Sequence, residues 1–214
     1  MRLVLPRLYV ILDAALLTTP ESDCAQKLVD AGVRLLQYRN KAASSRELLE
    51  SSKRLSALLI PQGVTFLVND RADVAALASA SGVHLGQEDL GVEEARTMIG
   101  TGKLAGASTH NLEQFQKAAA TSANYIAVGP IFSTSTKANP DPVVGTGFIR
   151  QIRGLTKKPI VAIGGITLDR AAEVIQAGAD SIAVISDILR APDPGKRARQ
   201  YVDLLEATNH AAAV

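Results

Sequence analysis

The sequence predicts a single (β/α)8 barrel of the α/β class, and three observations support this prediction. Short runs rich in β-branched residues alternate with longer helical patterns from one end of the 214-residue chain to the other. These runs form eight strand–helix units, a number that favours a closed barrel over an open sheet. The strand candidates are also nearly continuous apolar runs, as expected for parallel strands that are buried on both faces.

The strands follow one another at regular intervals along the chain. They are predicted at Leu8–Leu12, Leu35–Tyr38, Thr65–Val68, Gly82–Leu85, Lys103–Ala107, Tyr125–Val128, Ile160–Ile163 and Ser181–Val184. Helices are predicted after them at Asp23–Ala31, Ser45–Leu59, Arg71–Ala78, Val92–Ile99, Leu112–Ala119, Gly147–Gly154, Asp169–Ala177 and Gly195–Ala207. The segment Ser44–Glu47 has the spacing of a capping box at a helix start. Glycines stand where helices give way to strands, at Gly32, Gly82, Gly154 and Gly178.

No linker or low-complexity tract divides the chain. We therefore expect one barrel domain over residues 1–214, with a disordered tail from about residue 208. One connection, from Gly129 to Gly145, is longer than the others, and a long loop in a compact barrel usually has a function. Its start is rich in hydroxyl groups and is followed by Lys137, so we expect it to close over a ligand.

Composition excludes several classes of partner. Apolar residues make up 47% of the chain and the formal net charge is only +2, which is typical of a globular protein with a full core. We therefore expect small-molecule substrates and neither a nucleic-acid partner nor a membrane partner, while a homo-oligomer stays open. The single cysteine, Cys24, lies in an apolar helical run and is predicted to be a packed thiol. A reducing, cytoplasmic location is the corresponding expectation.

Polar and charged residues follow strands two, three and four. In a barrel of this kind ligands bind at the carboxyl ends of the strands, which we call the mouth. Strand two ends in Gln37–Lys41, where alternation places the first, third and fifth side chains on one side. Strand three is followed by Asn69–Arg71, and strand four by Asp89. Taken separately, these segments are explained as readily by a solvated turn and by helix N-caps.

Together, these residues indicate a site for a metal-bound diphosphate. Asp70 and Asp89 end adjacent strands, so their carboxylates are expected to converge over the mouth. Two carboxylate oxygens, completed by water and phosphate oxygens, are a usual coordination for Mg²⁺. Around this pair the sequence places further donors at Arg39, Lys41, Asn69 and Lys137.

A second signal indicates a phosphate site at the last two strands. Gly164 and Gly165 follow strand seven, and Ile185-Ser186 follows strand eight, where it opens a short helix. Barrels commonly bind phosphate at this place through backbone N–H groups. We expect glycine at position 165 because a Cβ would obstruct the phosphate. Tight turns required by packing are the alternative interpretation.

Two histidines lie near the mouth. His84 lies within strand four and is interpreted as a core or supporting residue rather than as a base. His110 follows strand five, and its role is left open.

The chain resembles the thiamine-phosphate synthase (thiamine-phosphate pyrophosphorylase) family over nearly its whole length. Seven motifs carry the resemblance, in register, at Gln37–Lys41, Leu67–Arg71, Gly82–Leu90, Gly106–Asn111, Val128–Lys137, Val161–Thr167 and Ala183–Ser186. The family joins a pyrimidine diphosphate to a thiazole phosphate and releases diphosphate. The resemblance implies a transferase of thiamine biosynthesis with a dissociative, Mg²⁺-assisted mechanism.

The resemblance also implies roles for individual residues. The pyrimidine diphosphate would contact Gln37, Tyr38, Arg39, Asn40, Lys41, Asn69, Ser108 and Lys137. The residues acting in catalysis would be Arg39, Lys41, Ser108 and Lys137. The thiazole phosphate would contact Thr134, Ser135, Thr136, Gly165, Ile185 and Ser186. Mg²⁺ would be bound by Asp70 and Asp89.

Two alternatives remain from other functional classes. One is a thiazole tautomerase, an isomerase on the same barrel, and the other is a non-catalytic protein that binds thiamine precursors. Neither needs a metal-bound diphosphate, so the carboxylates of Asp70 and Asp89 argue against both.

Overall fold

The computed structural model describes residues 3–134 and 141–211. Eight parallel strands pair in chain order, and the last strand pairs with the first, so that the sheet closes into a barrel. Helices follow the strands around the outside. The predicted (β/α)8 barrel is therefore confirmed.

The strands lie close to their predicted positions. They are β1 Leu8–Asp13, β2 Leu35–Arg39, β3 Thr65–Asn69, β4 Gly82–Leu85, β5 Leu104–Thr109, β6 Tyr125–Val128, β7 Ile160–Ile163 and β8 Ser181–Val184. The α-helices are α1 Glu21–Asp30, α2 Ser45–Leu59, α3 Ala72–Leu77, α4 Val92–Ile99, α5 Leu112–Ala120, α6 Gly145–Arg153, α7 Leu168–Gln176, α8 Ser186–Leu189 and α9 Pro194–Ala211. Short 3-10 turns cover Ala14–Leu16 and Ile60–Gln62. The capping box at the start of α2 is confirmed, since Ser44 and Glu47 exchange side-chain and backbone hydrogen bonds.

Several boundaries differ from the prediction by one or more residues, and two of these differences concern β5 and α9. Strand β5 continues two residues further, to Thr109, so Ser108 belongs to the strand. Helix α9 runs to Ala211, although we expected a disordered tail from about residue 208. Tyr201 and Leu205 of α9 are buried, and this packing anchors the helix against the barrel. None of the helices in the described part of the chain is long and apolar enough to cross a membrane.

Side chains of the strands alternate between two apolar layers. An inner cluster fills the barrel and includes Tyr9, Leu35, Leu67, Tyr125 and Val161. An outer cluster lies between the sheet and the helices and contains Cys24, which confirms the predicted packed thiol. Because the two clusters take alternate residues of each strand, the inner-facing residue at each strand end points towards the mouth.

Candidate active site at the mouth of the barrel

The ends of β1 and β2 place a partly buried ion pair at the mouth. Asp13 and Arg39 are register partners at the last positions of their strands, and the Arg39 guanidinium donates to Asp13 Oδ2. Asp13 is 2% exposed and also accepts a hydrogen bond from Ala15 N. This carboxylate, which we did not predict as a site residue, orients the planar guanidinium of Arg39.

Lys41 reaches from the end of β2 to the residue that follows β3. Its Nζ lies 2.8 Å from Oδ2 of Asp70. Asp70 has a φ of 63°, in the left-handed region that non-glycine residues rarely adopt, and its N–H donates to His84 O. The first residue of α3 is Ala72, with Arg71 at the N-cap position, so Asp70 is not the cap of this helix. The backbone instead holds its carboxylate at the mouth.

Asp89 provides the second carboxylate of this cluster. Its Oδ2 accepts a hydrogen bond of 2.7 Å from Gly86 N, and the N-cap of α4 is Gly91, so Asp89 is also not a helix cap. Burial raises the pKa of Asp89, and the neighbouring carboxyl of Asp70 raises it further. Two carboxylates this close repel each other when both are ionised, and a cation between them relieves the repulsion.

A chain of polar side chains crosses the barrel interior just below the mouth. Gln37 Nε2 donates to Tyr9 Oη, which lies 3.2 Å from Tyr125 Oη. Tyr125 Oη lies 2.8 Å from His84 Nδ1, and His84 Nε2 lies 2.8 Å from Ser108 Oγ. Burial lowers the pKa of His84 to about 4, against a smaller opposing effect of Asp70, so its imidazole is neutral at physiological pH. The predicted site residues Gln37 and Ser108 are thus connected through three side chains that we did not predict as site residues.

Two residues of the strand-two motif do not face the interior. Tyr38 is 2% exposed and belongs to the outer cluster, between the sheet and the helices. Asn40 Nδ2 donates to Tyr38 Oη, while Asn40 Oδ1 accepts from the backbone of Ala42 and Ala43. Their side chains therefore shape the turn after β2. By contrast, Asn69 is the last residue of β3 and is the register partner of His84.

The glycines after β7 contact the start of the long loop. Both have positive φ, 98° at Gly164 and 63° at Gly165. A Cβ at Gly164 would lie 2.6 Å from Pro130 Cα, and one at Gly165 would overlap the carbonyl oxygen of Ser133. The neighbouring loop is therefore sufficient to require glycine at position 165, while the approach of a phosphate to this residue stays a prediction.

The start of the long loop is held against this glycine turn. Ile131 N donates to Ile163 O and Phe132 N donates to Gly164 O, at 2.9 and 3.0 Å. The guanidinium of Arg170 also lies 4.7 Å from the centre of the Phe132 ring. The loop is described through Thr134, which is partly buried, while the predicted contacts Ser135, Thr136 and Lys137 lie outside the described residues.

A residue of the last helix contacts the segment after β8 in which we predicted the phosphate contacts. Ile185 and Ser186 form the N-terminal end of α8 and are partly exposed. The next residue, Asp187, accepts a hydrogen bond of 2.7 Å from Tyr201 Oη. We did not predict a role for Tyr201, since nothing in its local sequence distinguishes it from an ordinary core tyrosine of an amphipathic helix.

His110 joins the two ends of the long loop. Its Nδ1 lies 2.6 Å from Gly129 O, and its Nε2 lies 3.6 Å from Asp141 Oδ2. Because a carbonyl oxygen only accepts, His110 donates the first of these contacts from Nδ1. This position accounts for His110 as a residue that organises the loop.

Comparisons with known proteins show the family of this chain. The profile of the thiamine monophosphate synthase family matches residues 8–188. The chain belongs to the thiamine monophosphate synthase family. A thiamine-phosphate synthase of Koribacter versatilis is 50% identical over 210 residues, which are 96% of this chain and 98% of that one. One of Chloroflexus aurantiacus is 42% identical over 207 residues, covering 96% and 95% of the two chains.

Among solved structures, a thiamine phosphate pyrophosphorylase from Pyrococcus furiosus superimposes with a TM-score of 0.86 at 36% identity. The match covers 94% of this chain and 96% of that one. The part of the chain that matches the thiamine monophosphate synthase profile begins at β1 and ends within α8. It therefore includes every site residue named above except Tyr201.

Proposed function

We propose that this protein is a thiamine-phosphate synthase. It would join 4-amino-2-methyl-5-(diphosphooxymethyl)pyrimidine to a thiazole ethyl phosphate, with or without a carboxylate on the thiazole, and release diphosphate. The observation that carries the proposal is the pair of carboxylates, Asp70 and Asp89, beside the cation Lys41 at the mouth. Arg39 adds a second cation at the end of β2, where it is paired with Asp13. Family membership supports the same activity.

The carboxylate pair fits Mg²⁺. Asp70 and Asp89 offer hard oxygen ligands, and their mutual repulsion favours a bound cation. Mg²⁺ held by these residues would supply charge stabilisation to a leaving diphosphate. Among the described residues no group of three or more acidic, histidine or cysteine side chains could hold a metal, so phosphate oxygens and water are expected to complete the coordination.

The cations would bind the diphosphate and stabilise it as it leaves. Arg39 is fixed by Asp13 and offers the rest of its planar guanidinium to phosphate oxygens. Lys41 is 59% exposed at its side chain and can move from Asp70 to the diphosphate once a metal occupies the carboxylates. Lys137 and the Ser108 hydroxyl would add donors, and Asn69 would hold the pyrimidine. The Coulomb attraction between the diphosphate and each of the cations Arg39, Lys41 and Lys137 is up to about 4 kcal/mol at 4 Å in a partly screened site.

A dissociative mechanism suits this set of groups. Positive charge at the mouth favours departure of the diphosphate before the new bond forms, leaving a pyrimidine-methyl cation that the thiazole nitrogen captures. The only cysteine, Cys24, is buried on α1 in the outer layer, so it is not placed to act as a nucleophile.

The thiazole phosphate would bind on the opposite side of the mouth. Gly165, Ile185 and Ser186 would receive its phosphate through backbone N–H groups, and Thr134, Ser135 and Thr136 would contact the rest of the molecule. Tyr38 and Asn40 would contribute to the pyrimidine diphosphate site by shaping the turn that carries Lys41.

The carboxylate pair and its cations favour the synthase over the two alternative functions. A thiazole tautomerase and a non-catalytic precursor-binding protein would need the phosphate turn but not the carboxylate pair with its cations. We further propose that the whole chain forms one domain that acts in the cytoplasm on small molecules, without nucleic-acid or membrane partners. Assembly into a homo-oligomer stays a prediction.

A two-substrate assay tests the function. The purified protein is incubated with the pyrimidine diphosphate and the thiazole phosphate, and thiamine phosphate and diphosphate are measured with Mg²⁺ and with excess chelator. We expect equal amounts of both products with Mg²⁺ and loss of both with chelator. If neither product forms with Mg²⁺, the synthase proposal is wrong, and product formation that chelator leaves unchanged would refute the metal assignment.

A further inference from the structure

The polar chain in the barrel interior connects two proposed substrate contacts that lie on different strands. It runs from Gln37 on β2 through Tyr9, Tyr125 and His84 to Ser108 on β5. Gln37, Tyr9 and Tyr125 are at most 1% exposed and His84 is 7% exposed, whereas Ser108 is partly exposed.

The position of the central hydroxyl is fixed by packing. The Tyr125 ring lies over Gly106 on β5, in the space that a Cβ at position 106 would occupy. The ring also stacks on His84, with 5.6 Å between the ring centres. Tyr125 therefore cannot turn its hydroxyl away from Tyr9 and His84 without disturbing two strands.

If every proton in this series of side chains is to be hydrogen bonded, the observed orientation of the Gln37 amide fixes the donor and the acceptor of each hydrogen bond. Gln37 donates to Tyr9, so Tyr9 donates to Tyr125, and Tyr125 then donates to His84 Nδ1. His84 carries its proton on Nε2 and donates to Ser108 Oγ. The Ser108 proton is thereby left to point at the mouth, where it can donate to a ligand. Gln37 keeps its carbonyl oxygen as an acceptor.

The reverse direction requires the Gln37 amide to flip. Its carbonyl would then accept from Tyr9, every hydrogen bond would turn round, and Ser108 would donate to His84. Ser108 would offer only lone pairs to the mouth, and Gln37 would offer only N–H groups to a ligand. The Gln37 amide and the Ser108 hydroxyl are therefore coupled. Neither can exchange its donor and acceptor roles alone without leaving a buried proton or lone pair without a hydrogen bond.

We propose that Tyr9, Tyr125 and His84 are positioning residues that couple the orientation of the Gln37 amide to the direction of the Ser108 hydroxyl. The coupling makes the site select a pyrimidine that carries an amino group, rather than a carbonyl, where the ring meets Gln37. This inference rests on the proposed function together with the family resemblance, which implies that Gln37 and Ser108 contact the pyrimidine diphosphate. It further takes the pyrimidine ring to lie at Gln37 and the diphosphate near Ser108. An amino group donates to the Gln37 carbonyl, and the same chain direction lets Ser108 donate to a phosphate oxygen.

A carbonyl in place of the amino group produces a conflict at the far end of the chain. It selects the flipped amide, which turns the lone pairs of Ser108 towards the negatively charged diphosphate. Loss of one buried hydrogen bond lowers affinity by roughly tenfold or more. The selection is thus enforced through residues that do not touch the substrate.

Equilibrium binding tests the coupling. The dissociation constants of the 4-amino pyrimidine diphosphate and of its 4-oxo analogue are measured calorimetrically with Mg²⁺ for the wild type, Tyr125→Phe and Thr109→Val. Thr109→Val is the matched control. It removes a buried β5 hydroxyl that donates to Ala127 O and does not belong to the hydrogen-bonded series from Gln37 to Ser108. We expect Tyr125→Phe to reduce the preference for the amino compound by at least about tenfold, while Thr109→Val leaves it unchanged.

Tyr9→Phe interrupts the same series of hydrogen bonds at a different residue. It provides an independent test if Tyr125→Phe does not fold. Both variants free the Gln37 amide to flip, so they should reduce the preference similarly, and the double variant should add little. If folded Tyr125→Phe and Tyr9→Phe weaken both ligands by the same factor, the three residues are merely structural and the inference is overturned. Failure of the wild type to bind the amino diphosphate at all would instead refute the proposed function.

Discussion

The hydroxyl of Tyr201 donates to Oδ2 of Asp187 at 2.7 Å and connects the last helix to α8, the short helix after β8. The same hydroxyl lies 3.4 Å from Ile166 O, in the turn after β7. Asp187 also lies 3.6 Å from Arg197 Nε. One buried side chain on α9 therefore contacts α8 and the turn after β7, the two segments that we propose to bind the thiazole phosphate.

Removing this hydroxyl should weaken binding of one substrate selectively. We expect Tyr201→Phe to raise the KM for the thiazole phosphate roughly three- to tenfold, because Asp187 loses a buried partner and the two segments lose a common support. The KM for the pyrimidine diphosphate is measured in parallel and should stay unchanged. An equal rise in both values would mean that Tyr201 contributes only to general stability.

The carboxylate pair should be essential for diphosphate release but not for thiazole binding. We expect Asp70→Ala and Asp89→Ala each to lower kcat at least about a hundredfold, because the leaving diphosphate loses its metal. Calorimetry with the thiazole phosphate should give dissociation constants close to the wild-type value. Retention of Mg²⁺-dependent activity in either variant would contradict the assignment of that residue as a metal ligand.

Lys137 should act mainly on the leaving group. We expect Lys137→Ala to reduce kcat about a hundredfold while changing the dissociation constant of the thiazole phosphate by less than about threefold. Single-turnover kinetics and calorimetry measure the two effects. Equal losses in rate and in thiazole affinity would contradict this role.

His84 should make the protein less stable in mild acid. Its pKa is about 4 in the folded chain, against an ordinary value of 6.5, so between these values the unfolded chain binds a proton that the native protein does not. The free energy of unfolding is therefore undiminished above pH 6.5 and falls as the pH falls to 4. We expect this group to lower it by about 2 kcal/mol between about pH 7.5 and about pH 5.

Urea denaturation at both pH values measures this effect. His84→Gln should lose about 2 kcal/mol of the wild-type pH dependence. A pH dependence that is the same in wild type and His84→Gln would show that His84 is not the responsible group.

Gly106 should be intolerant of a methyl group. A Cβ at this position would overlap the Tyr125 ring, so Gly106→Ala must displace the ring and its hydroxyl. We expect a loss of about 1–3 kcal/mol in the free energy of unfolding and weaker binding of the pyrimidine diphosphate. Gly102→Ala is the matched control, because a Cβ there has no neighbour within 4 Å. Wild-type stability in Gly106→Ala would contradict the packing seen here.

Sequence patterns predicted the barrel and most of its boundaries, because these depend on local periodicity. The capping box Ser44–Glu47 is one such signal, since its partners lie three residues apart. Asp70 and Asp89 could also be paired in advance, because the ends of neighbouring parallel strands meet at one edge of the sheet. Helix α9 extends to Ala211, beyond the predicted end at Ala207, and the sequence offers no end signal that would have placed this boundary.

The sequence by itself determined the eight strand–helix units, the buried thiol of Cys24 and the line of polar residues at the strand ends. Only the tertiary structure decided which side chains support these residues. Tyr9 and Tyr125 are 116 residues apart in the chain and look like ordinary core tyrosines until barrel closure joins their hydroxyls. Asp13 likewise meets Arg39 only through strand pairing. Local periodicity determines which residues are buried, but the partner of a buried polar group depends on contacts that exist only once the barrel has closed.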